Sequence, residues 1–324
     1  MRRLFVLGAF AVLVLSGCAD PGTAPAAGSG KYHDGRLFIA TGNTTGVYYQ
    51  LGGGFADLIT KYLPGYEARA EPTGASGENC RRVSNGDMDI ALTLADTAGD
   101  AATGRGAFEK SPQKIVALSR IYRNYMHVVV RNDAKITKFA DMRGKKVSTG
   151  SPNSGTELVS RRMLQAAGLD YKKDVSAQSL SLPLTVEGMQ KGTIDVLFFT
   201  GGLPTPGITD LFTSQPGKFS LLPTPELLQP MVAQYGGVYG IGTLPKATYQ
   251  QPADVQQIVI WNQIVVSPDM PEQLAHDLAK LLFEHQAELA KVHPEGGNFD
   301  RAAANQTDPV PLHPGAQRYY QTPR

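Results

Sequence analysis

The sequence predicts an α/β protein made of two lobes, with two crossings of the chain between them and a cleft where they meet. A strand-turn-helix unit at 37–59 has a counterpart at 148–168. A helix end with a glycine stop that leads into an apolar strand also occurs twice, at 84–92 and 190–198. Two similar βα units in the same order are typical of two pseudo-equivalent lobes, although two ordinary βα units can resemble each other by chance. The chain of 324 residues is also too long for one small core.

The first βα unit has the features of an anion pocket. An apolar run at 37–40 is followed by hydroxyl-bearing and flexible residues from Thr41 to Gly46, and apolar residues then recur at helical spacing from Val47. The first N–H groups of a helix have no partner within it, and the helix dipole places partial positive charge there, so a carboxylate or phosphate fits this position. The alternative is a plain strand-to-helix turn of an α/β fold.

The N-terminus predicts export. Arg2 and Arg3 precede an apolar run at 4–15 that is too short to span a bilayer but is typical of a signal peptide. The run ends in the letters LSGC, which resemble a bacterial lipoprotein lipobox, so we expect a signal peptide at 1–17 and a lipid on Cys18; an ordinary signal peptide with a chance cysteine is the alternative. Small, Pro- and Gly-rich residues follow, so 18–34 is predicted to be the lipidated cysteine and a flexible tether. This places the protein in the periplasm or cell envelope.

Composition narrows the choice of partners. The chain has 31 basic and 29 acidic residues, and two of the basic ones, Arg2 and Arg3, lie in the predicted signal peptide. The mature chain is therefore formally neutral, and neither nucleic acid nor an anionic membrane surface is predicted as a partner. Cys18 and Cys80 are the two cysteines, so disulfides are not expected to staple the fold. We expect Cys80 to be a buried residue of a helix rather than a reactive thiol.

Two strand-like stretches are candidates for the crossings between the lobes. One is the apolar run at 126–130, and the other is the glycine-rich run at 236–242. With these as hinges, lobe 1 comprises 35–125 plus 240–324 and lobe 2 comprises 126–239. Beyond the second crossing, 258–266 is predicted as strand, and an amphipathic helix is predicted at 271–289, with Pro271 near its first turn.

Five stretches then carry a family resemblance. They are TGNTTGVYYQLGGGFADLI from Thr41, PTGASGENCRRVSNGDMDIAL from Pro72, STGSPNSGTELVSRRMLQAAGL from Ser148, FFTGGLP from Phe198 and PLHPGAQRYY from Pro311. Together they resemble the TAXI family, the extracytoplasmic solute-binding subunits of one branch of TRAP transporters. The resemblance implies a periplasmic-binding-protein fold of the type II-like, two-hinge kind with ligand in the interlobe cleft. It also implies a small carboxylate ligand, such as a glutamate-like amino acid or an organic acid, and delivery to a TRAP-type membrane permease driven by an ion gradient.

Two helix N-termini facing one cleft, one from each lobe, would hold a carboxylate from both sides and favour the closed form. A receptor that must release its ligand is better served by hydroxyls, amides and backbone N–H groups than by a metal or a covalent site. The candidate ligand contacts are Thr41, Gly42, Asn43, Thr44, Gly46, Tyr48, Ser76, Asn79, Ser154, Gly155, Thr156, Thr200, Gly201 and Gly202. For Ser76, Asn79 and Ser154, a plain role in capping a helix is the alternative. Glu157 is expected to stabilise its own helix start.

The sequence departs from the family pattern in the first turn, where Asn43, Thr44 and Thr45 replace a glycine-rich filling and should shift ligand choice. An enzyme is not predicted, because the chain lacks a G-x-S-x-G elbow, and a serine without a positioned base is a weak nucleophile. The six histidines are scattered without metal-ligand spacing, so neither metal nor cofactor is predicted. An anchored sensor or scaffold that keeps the same binding fold is the alternative to a transport receptor, and a hydrolase is less favoured than either.

Overall fold

The computed structural model describes residue 32 and residues 34–322, and the predicted signal peptide, Cys18 and the tether up to residue 31 lie outside the described residues. The strands in this part of the chain are β1 (Arg36–Ala40), β2 (Glu67–Glu71), β3 (Ile90–Leu94), β4 (Val116–Arg131), β5 (Lys146–Ser148), β6 (Ser176–Gln178), β7 (Val196–Gly201), β8 (Phe219–Leu221), β9 (Tyr239–Leu244) and β10 (Val255–Val266). The α-helices are α1 (Val47–Tyr62), α2 (Ser76–Asn85), α3 (Ala95–Thr103), α4 (Gly155–Ala166), α5 (Leu182–Lys191), α6 (Pro206–Ser214), α7 (Leu228–Tyr235), α8 (Glu272–Glu284), α9 (Gln286–Val292) and α10 (Pro314–Gln321).

The two predicted βα units form two parallel sheet regions, which confirms the α/β fold class. In the first lobe β1 lies between β2 and β3 and pairs with both in parallel. In the second lobe β5 lies between β6 and β7 in the same way. Helix α1 follows β1, and α4 follows β5, so equivalent helices begin at the carboxyl ends of equivalent strands.

Two long strands, β4 with 16 residues and β10 with 12, link the lobes. They are antiparallel neighbours and lie between β3 and β7 in the sheet order β2-β1-β3-β10-β4-β7-β5-β6. The last part of β10 pairs with β3 of lobe 1, whereas its first part pairs with β9. Their pairing has a register shift between Trp261 and Gln263. Each long strand thus contributes one half to each lobe.

The second crossing lies later in the chain than the expected hinge at 236–242. Tyr239 and Ile258 pack in the same apolar cluster as Met126 and Val128 of lobe 2. Leu244 packs in a further lobe 2 cluster. Residues 239–260 therefore pack with lobe 2 rather than lobe 1, and the chain returns in the middle of β10. The glycine-rich run became β9 because its partner strand, the first half of β10, holds it against the lobe 2 core.

The core of lobe 1 lies between the sheet and helices α1, α8 and α10. Leu51 and Phe55 of α1 are buried there with Leu278 and Leu282 of α8, whose apolar residues recur at helical spacing. The single helix expected at 271–289 is two helices, because α8 ends at Glu284 and α9 starts after His285.

Cys80 is fully buried on α2, as expected, and burial raises the pKa of its thiol to about 12. In the described part of the chain, every helix is too short or too polar to cross a membrane.

Candidate functional site

A small enclosed cavity of about 30 Å³ lies between the lobes, at the carboxyl ends of β1 and β7. Its lining combines backbone from helix starts with small polar side chains and three aromatic rings. The lining residues are Gly42, Asn43, Gly46, Val47, Tyr48, Ala75, Ser76, Tyr122, Asn124, Ser151, Ser154, Gly155, Thr156, Phe199, Thr200 and Gly201. Both lobes contribute, so the cavity exists only while the lobes are together.

Helices α1, α2 and α4 all begin at this cavity. Within the described chain, no side chain caps the first N–H groups of α1 or α2. At α4 the Ser154 hydroxyl accepts a hydrogen bond from the Glu157 backbone N–H at 3.0 Å. Each helix start has free N–H groups and the positive end of a helix dipole. Three such starts around one cavity give it a positive potential, an arrangement that suits an anionic group.

The positive potential at these helix starts arises without charged side chains in the described lining. Among the residues that the structure describes, every side chain lining the cavity is uncharged. Glu157 at the start of α4 is turned away, since its carboxylate accepts hydrogen bonds from the Asn153 backbone N–H, from Arg161 and from Ser179. This geometry matches the role expected for Glu157 at its own helix start. The potential in the cleft therefore comes mainly from backbone dipoles, which a buried carboxylate can use without a salt bridge.

Two buried side chains of β4 form the floor of the cavity. Tyr122 and Asn124 are alternate residues of the strand and so face the same side. Their exposed fractions are 0% and 2%, and neither the Tyr122 Oη nor the Asn124 Oδ1 has a hydrogen-bond partner among the described residues. Burial raises the pKa of Tyr122 well above its usual value, so its phenol stays protonated. Unsatisfied buried polar atoms are costly, and a ligand in the cavity would supply the missing partners.

The neighbouring Tyr48 is already paired. Its hydroxyl donates to the Asn262 Oδ1 at 2.5 Å, and the Asn262 Nδ2 donates to the Tyr122 backbone oxygen at 3.0 Å. Tyr48 of lobe 1 is thereby tied to both long strands, and burial raises its pKa well above the usual value. It presents mainly its ring to the cavity, as an aromatic wall.

Hydrogen bonds also fix the polar wall on both sides of the cleft. The Ser76 hydroxyl of lobe 1 accepts from the Leu94 backbone N–H at 3.1 Å. In lobe 2 the Thr156 and Thr200 hydroxyls lie 2.8 Å apart, and the Thr156 hydroxyl also accepts from the Thr200 N–H at 3.1 Å. These contacts fix the positions of the hydroxyls before any ligand is considered.

Most of the residues predicted from sequence meet at this cavity. The residues found in its lining are Gly42, Asn43, Gly46, Tyr48, Ser76, Ser154, Gly155, Thr156, Thr200 and Gly201. Their contact with a ligand stays a prediction, since their placement alone is observed. Ser154 does cap its helix, so the alternative weighed for it is realised alongside its place in the cavity wall.

Four other predicted residues lie behind or outside the lining. The Thr41 hydroxyl is directed at the Glu71 backbone oxygen at 2.7 Å, and Thr44 is exposed on the turn. The Asn79 amide donates to the backbone oxygens of Thr41 and Leu92, both at 2.7 Å. Gly202 packs against Tyr122 and Glu295, where a side chain would have no room. Thr41 and Asn79 hold the site in shape because their polar groups are bonded within the protein.

Sequence reasoning missed six lining residues, which are Val47, Ala75, Tyr122, Asn124, Ser151 and Phe199. The polar Asn124 two residues after Tyr122, just before an apolar strand, was a usable signal. Alternation along a strand places such a pair on one face. That face becomes a cavity floor only because β4 runs through both lobes, which the sequence pattern did not show.

The lobes also meet at a charged cluster outside the cavity, which we call the Arg162 cluster. Arg162 of α4 donates to the Asp96 carboxylate at 3.3 Å and to the Asp100 carboxylate at 2.5 Å, both on α3. It also donates to the Tyr239 hydroxyl at 2.8 Å, and that hydroxyl donates to Asp96 at 2.8 Å. Burial raises the pKa of Asp96, with the charge of Arg162 opposing the rise. The cluster joins lobe 1 to lobe 2 through buried charges.

A second contact between the lobes lies beside Gly202. The Glu295 carboxylate accepts from the Leu203 backbone N–H at 2.6 Å and from the Asn298 amide at 2.8 Å. One His293 ring nitrogen lies 2.9 Å from the Pro204 backbone oxygen. Burial raises the pKa of Glu295 and lowers that of His293. Both side chains thus hold the loop after β7 against lobe 1.

The sheet order, the two crossing strands and the cleft between two α/β lobes define the periplasmic-binding-protein fold. The chain belongs to the NMT1-like family, whose sequence profile matches residues 39–322.

Solved structures agree on the fold. The binding protein component of an ABC phosphonate transporter from Pseudomonas aeruginosa superposes with a TM-score of 0.55 at 13% identity, over 82% of this chain and 80% of that one. A protein from Bordetella bronchiseptica superposes with a TM-score of 0.53 at 18% identity, over 86% of this chain and 83% of that one. The alkanesulfonate-binding protein SsuA from Xanthomonas axonopodis pv. citri, bound to MOPS, superposes with a TM-score of 0.50 at 13% identity, over 88% of this chain and 83% of that one. At these identities the likeness establishes the fold alone.

Proposed function

We propose that this chain is an extracytoplasmic solute-binding receptor of a transporter, which captures a small carboxylate in the interlobe cavity and delivers it to a membrane permease. The observation that carries the proposal is the meeting of three helix N-termini at a cavity with no charged side chain among its described lining residues. Such a site stabilises one anionic group by backbone N–H groups and dipoles. Membership of the NMT1-like family and the binding-protein fold support a receptor rather than an enzyme.

In this proposal, ligand binding is coupled to lobe closure. Gly46 and Ser76 belong to lobe 1, whereas Ser154 and Thr200 belong to lobe 2. A ligand that contacts both sets has its full affinity only when the lobes are together, so binding shifts the population toward the closed form. The closed form is then the one presented to the permease.

The permease we propose is of the TRAP type, on the strength of the resemblance to the TAXI family. An ABC-type partner is the rival, because one structural neighbour is the binding protein component of an ABC phosphonate transporter. Transport assays in vesicles distinguish the two, since uptake by a TRAP system follows an imposed sodium or proton gradient and needs no ATP. Uptake that requires ATP and ignores both gradients would contradict the TRAP proposal.

We also propose that Cys18 is lipidated and anchors the protein to a membrane from outside the cytoplasm. The lipobox-like residues at 15–18 support this. The Cys18→Ser variant should lose acylation and appear in the soluble fraction, whereas a Cys80→Ser variant should stay with the membrane. Membrane association of Cys18→Ser equal to that of the parent would overturn the anchor.

The test of ligand class is a thermal-shift screen of the full chain against carboxylates, sulfonates, phosphonates, sugars and cations. A ligand that binds the native state raises its melting temperature by mass action, so carboxylates should give the largest shifts. If sugars or cations shift the protein and acids do not, the anion-site proposal is wrong. If sulfonates or phosphonates raise the melting temperature more than carboxylates do, the anion-site proposal is supported and the proposal of a carboxylate ligand is wrong.

A further inference from the structure

We propose that the ligand is a short monocarboxylate that carries a hydroxyl group, and that Tyr122 and Asn124 select this hydroxyl. The inference rests on the proposed function and deepens it, because it names the chemistry of the same site. Three observations carry it: the uncharged lining, the unpartnered polar atoms on the cavity floor, and the small volume.

The uncharged lining limits the ligand to one charge. An ammonium group would need a carboxylate beside it, and a second carboxylate would compete with the first for the same helix starts. The nearby acids are already used, since Asp96 pairs with Arg162 and Glu295 accepts from the Leu203 N–H and the Asn298 amide. None of these four side chains belongs to the lining. The helix starts therefore favour one carboxylate, because a zwitterion would leave a buried ammonium without a partner and a dicarboxylate would place two like charges in one small cavity.

The polar atoms of the cavity floor favour a ligand group that can both donate and accept a hydrogen bond. The Tyr122 Oη is a phenol that can donate, and the Asn124 Oδ1 is an acceptor, and both lack partners among the described residues. A ligand hydroxyl can accept from Tyr122 and donate to Asn124 at the same time. A keto oxygen would leave Asn124 unpaired, and an aliphatic carbon would leave both groups unpaired.

The volume limits the length of the ligand. The cavity is small, about 30 Å³ compared with on the order of 10–15 Å³ for one water molecule, so a short ligand needs less widening of the cleft than a long one. The rings of Tyr48 and Phe199 close two sides of this space. A two- or three-carbon hydroxy acid meets the size, charge and hydrogen-bonding requirements together.

The test is calorimetric titration of the full chain with a matched series of three-carbon acids. L-lactate and D-lactate carry the hydroxyl, propionate lacks it, pyruvate carries a keto oxygen, and alanine carries an ammonium; succinate adds a dianion. We expect one lactate enantiomer to bind about tenfold tighter than propionate or pyruvate, as for one buried hydrogen-bonding group, and alanine and succinate to bind more weakly still.

The variant that probes the mechanism is Tyr122→Phe, which removes one oxygen atom. It should reduce lactate affinity about tenfold and leave propionate affinity within about twofold, because only lactate uses the phenol. Asn124→Leu is the second variant, and it should also reduce lactate affinity about tenfold and leave propionate affinity within about twofold. It tests the inference if Tyr122→Phe does not fold.

Three results would each overturn the inference while leaving an acid receptor in place. The parent could bind lactate and propionate with equal affinity, or it could bind alanine or succinate more tightly than lactate. In the third result, both variants lose as much affinity for propionate as for lactate. If none of the acids binds, the proposed function fails first and this inference falls with it.

Discussion

The two places where the lobes meet are built in opposite ways. At the cavity, helix starts and hydroxyls of both lobes come together without a charged side chain in the described lining. At the Arg162 cluster, by contrast, the contact consists of one guanidinium, two carboxylates and a phenol. In the proposed function the charge of the ligand is balanced by backbone dipoles, whereas the charges that join the lobes balance one another.

The separation has a physical reason. A charged side chain in an enclosed cleft must be neutralised in the empty receptor as well as in the full one, and a buried charge without a partner is strongly unfavourable. Helix N–H groups carry only partial charge and keep their positions whether or not an anion is present. The cavity can therefore fill and empty, while the Arg162 cluster stays paired as long as α3 and α4 remain in contact.

The largest expected effect is on the Arg162 cluster. Arg162→Met leaves the buried Asp96 carboxylate without its cation, whereas Asp100 keeps Arg105 at 3.8 Å. Removing one partner of a buried ion pair lowers stability by about 3–5 kcal/mol. Urea unfolding at neutral pH measures the free energy of unfolding. The control Lys191→Met removes an exposed pair with Glu187 and should change little. A loss of stability as small as in this control would show that the cluster is not a structural contact between the lobes.

A buried group without an opposite charge gives the next prediction. Burial of the ring in lobe 2 lowers the pKa of His127 to about 4, and the hydrogen bond to the Phe199 backbone oxygen opposes this shift only in part. The other ring nitrogen lies 2.9 Å from the Tyr249 hydroxyl. The unfolded chain binds this proton below about pH 6.5 and the folded chain only below about pH 4. The stability that His127 contributes is thus complete above pH 6.5 and falls as pH drops from 6.5 to 4, by about 3 kcal/mol.

Melting curves across this pH range measure the effect, with His127→Gln as the comparison. The variant should show a flatter dependence of stability on pH than the parent. The raised pKa values of Asp96 and Glu295 act in both proteins and cancel in the difference. Parallel curves for parent and variant would mean that the pKa of His127 is the same in the folded and the unfolded chain, and would contradict this prediction.

The third prediction concerns the fit of the lobes at the cavity. A Cβ on Gly155 of lobe 2 would lie 2.7 Å from the Ser76 hydroxyl and 2.9 Å from the Leu94 Cγ of lobe 1. Gly155→Ala should therefore hold the lobes slightly apart and weaken binding of the acid about tenfold, with little change in the melting temperature of the free protein. Gly53→Ala on α1 is the control, since its Cβ would meet nothing within 4 Å. Unchanged affinity in Gly155→Ala would argue against closure around the ligand.

The sequence predicted the local parts of this site and missed the parts that depend on long-range pairing. Strand-turn-helix patterns are encoded within about twenty residues, so the helix starts at Val47 and Gly155 were predictable. Asn79 was expected in the cleft from the resemblance to the family pattern, but its amide donates to the backbone oxygens of Thr41 and Leu92. Such a partner, distant along the chain, leaves no periodic mark in the sequence.

The floor of the cavity and the second crossing were missed for a related reason. Tyr122 and Asn124 belong to a strand with halves in two lobes, and their shared face becomes a floor only when β10 pairs beside β4. The break between α8 and α9 at His285 is also tertiary, because the ring of His285 stacks on Tyr62 of α1 at 3.8 Å between centroids. Tertiary contacts override helix propensity at such positions.

The proposed function requires the cleft to bind one anion through helix dipoles, with no charged side chain among the described lining residues. Its most direct test compares Ser154→Asp with Ser154→Asn by titration with the carboxylate that stabilises the parent most. Asp and Asn cap a helix equally well and have nearly the same shape, so they differ at α4 only in charge. We predict that Ser154→Asn keeps affinity within about tenfold of the parent and that Ser154→Asp loses a further hundredfold, about 2.7 kcal/mol. Equal affinities of the two variants would contradict the account.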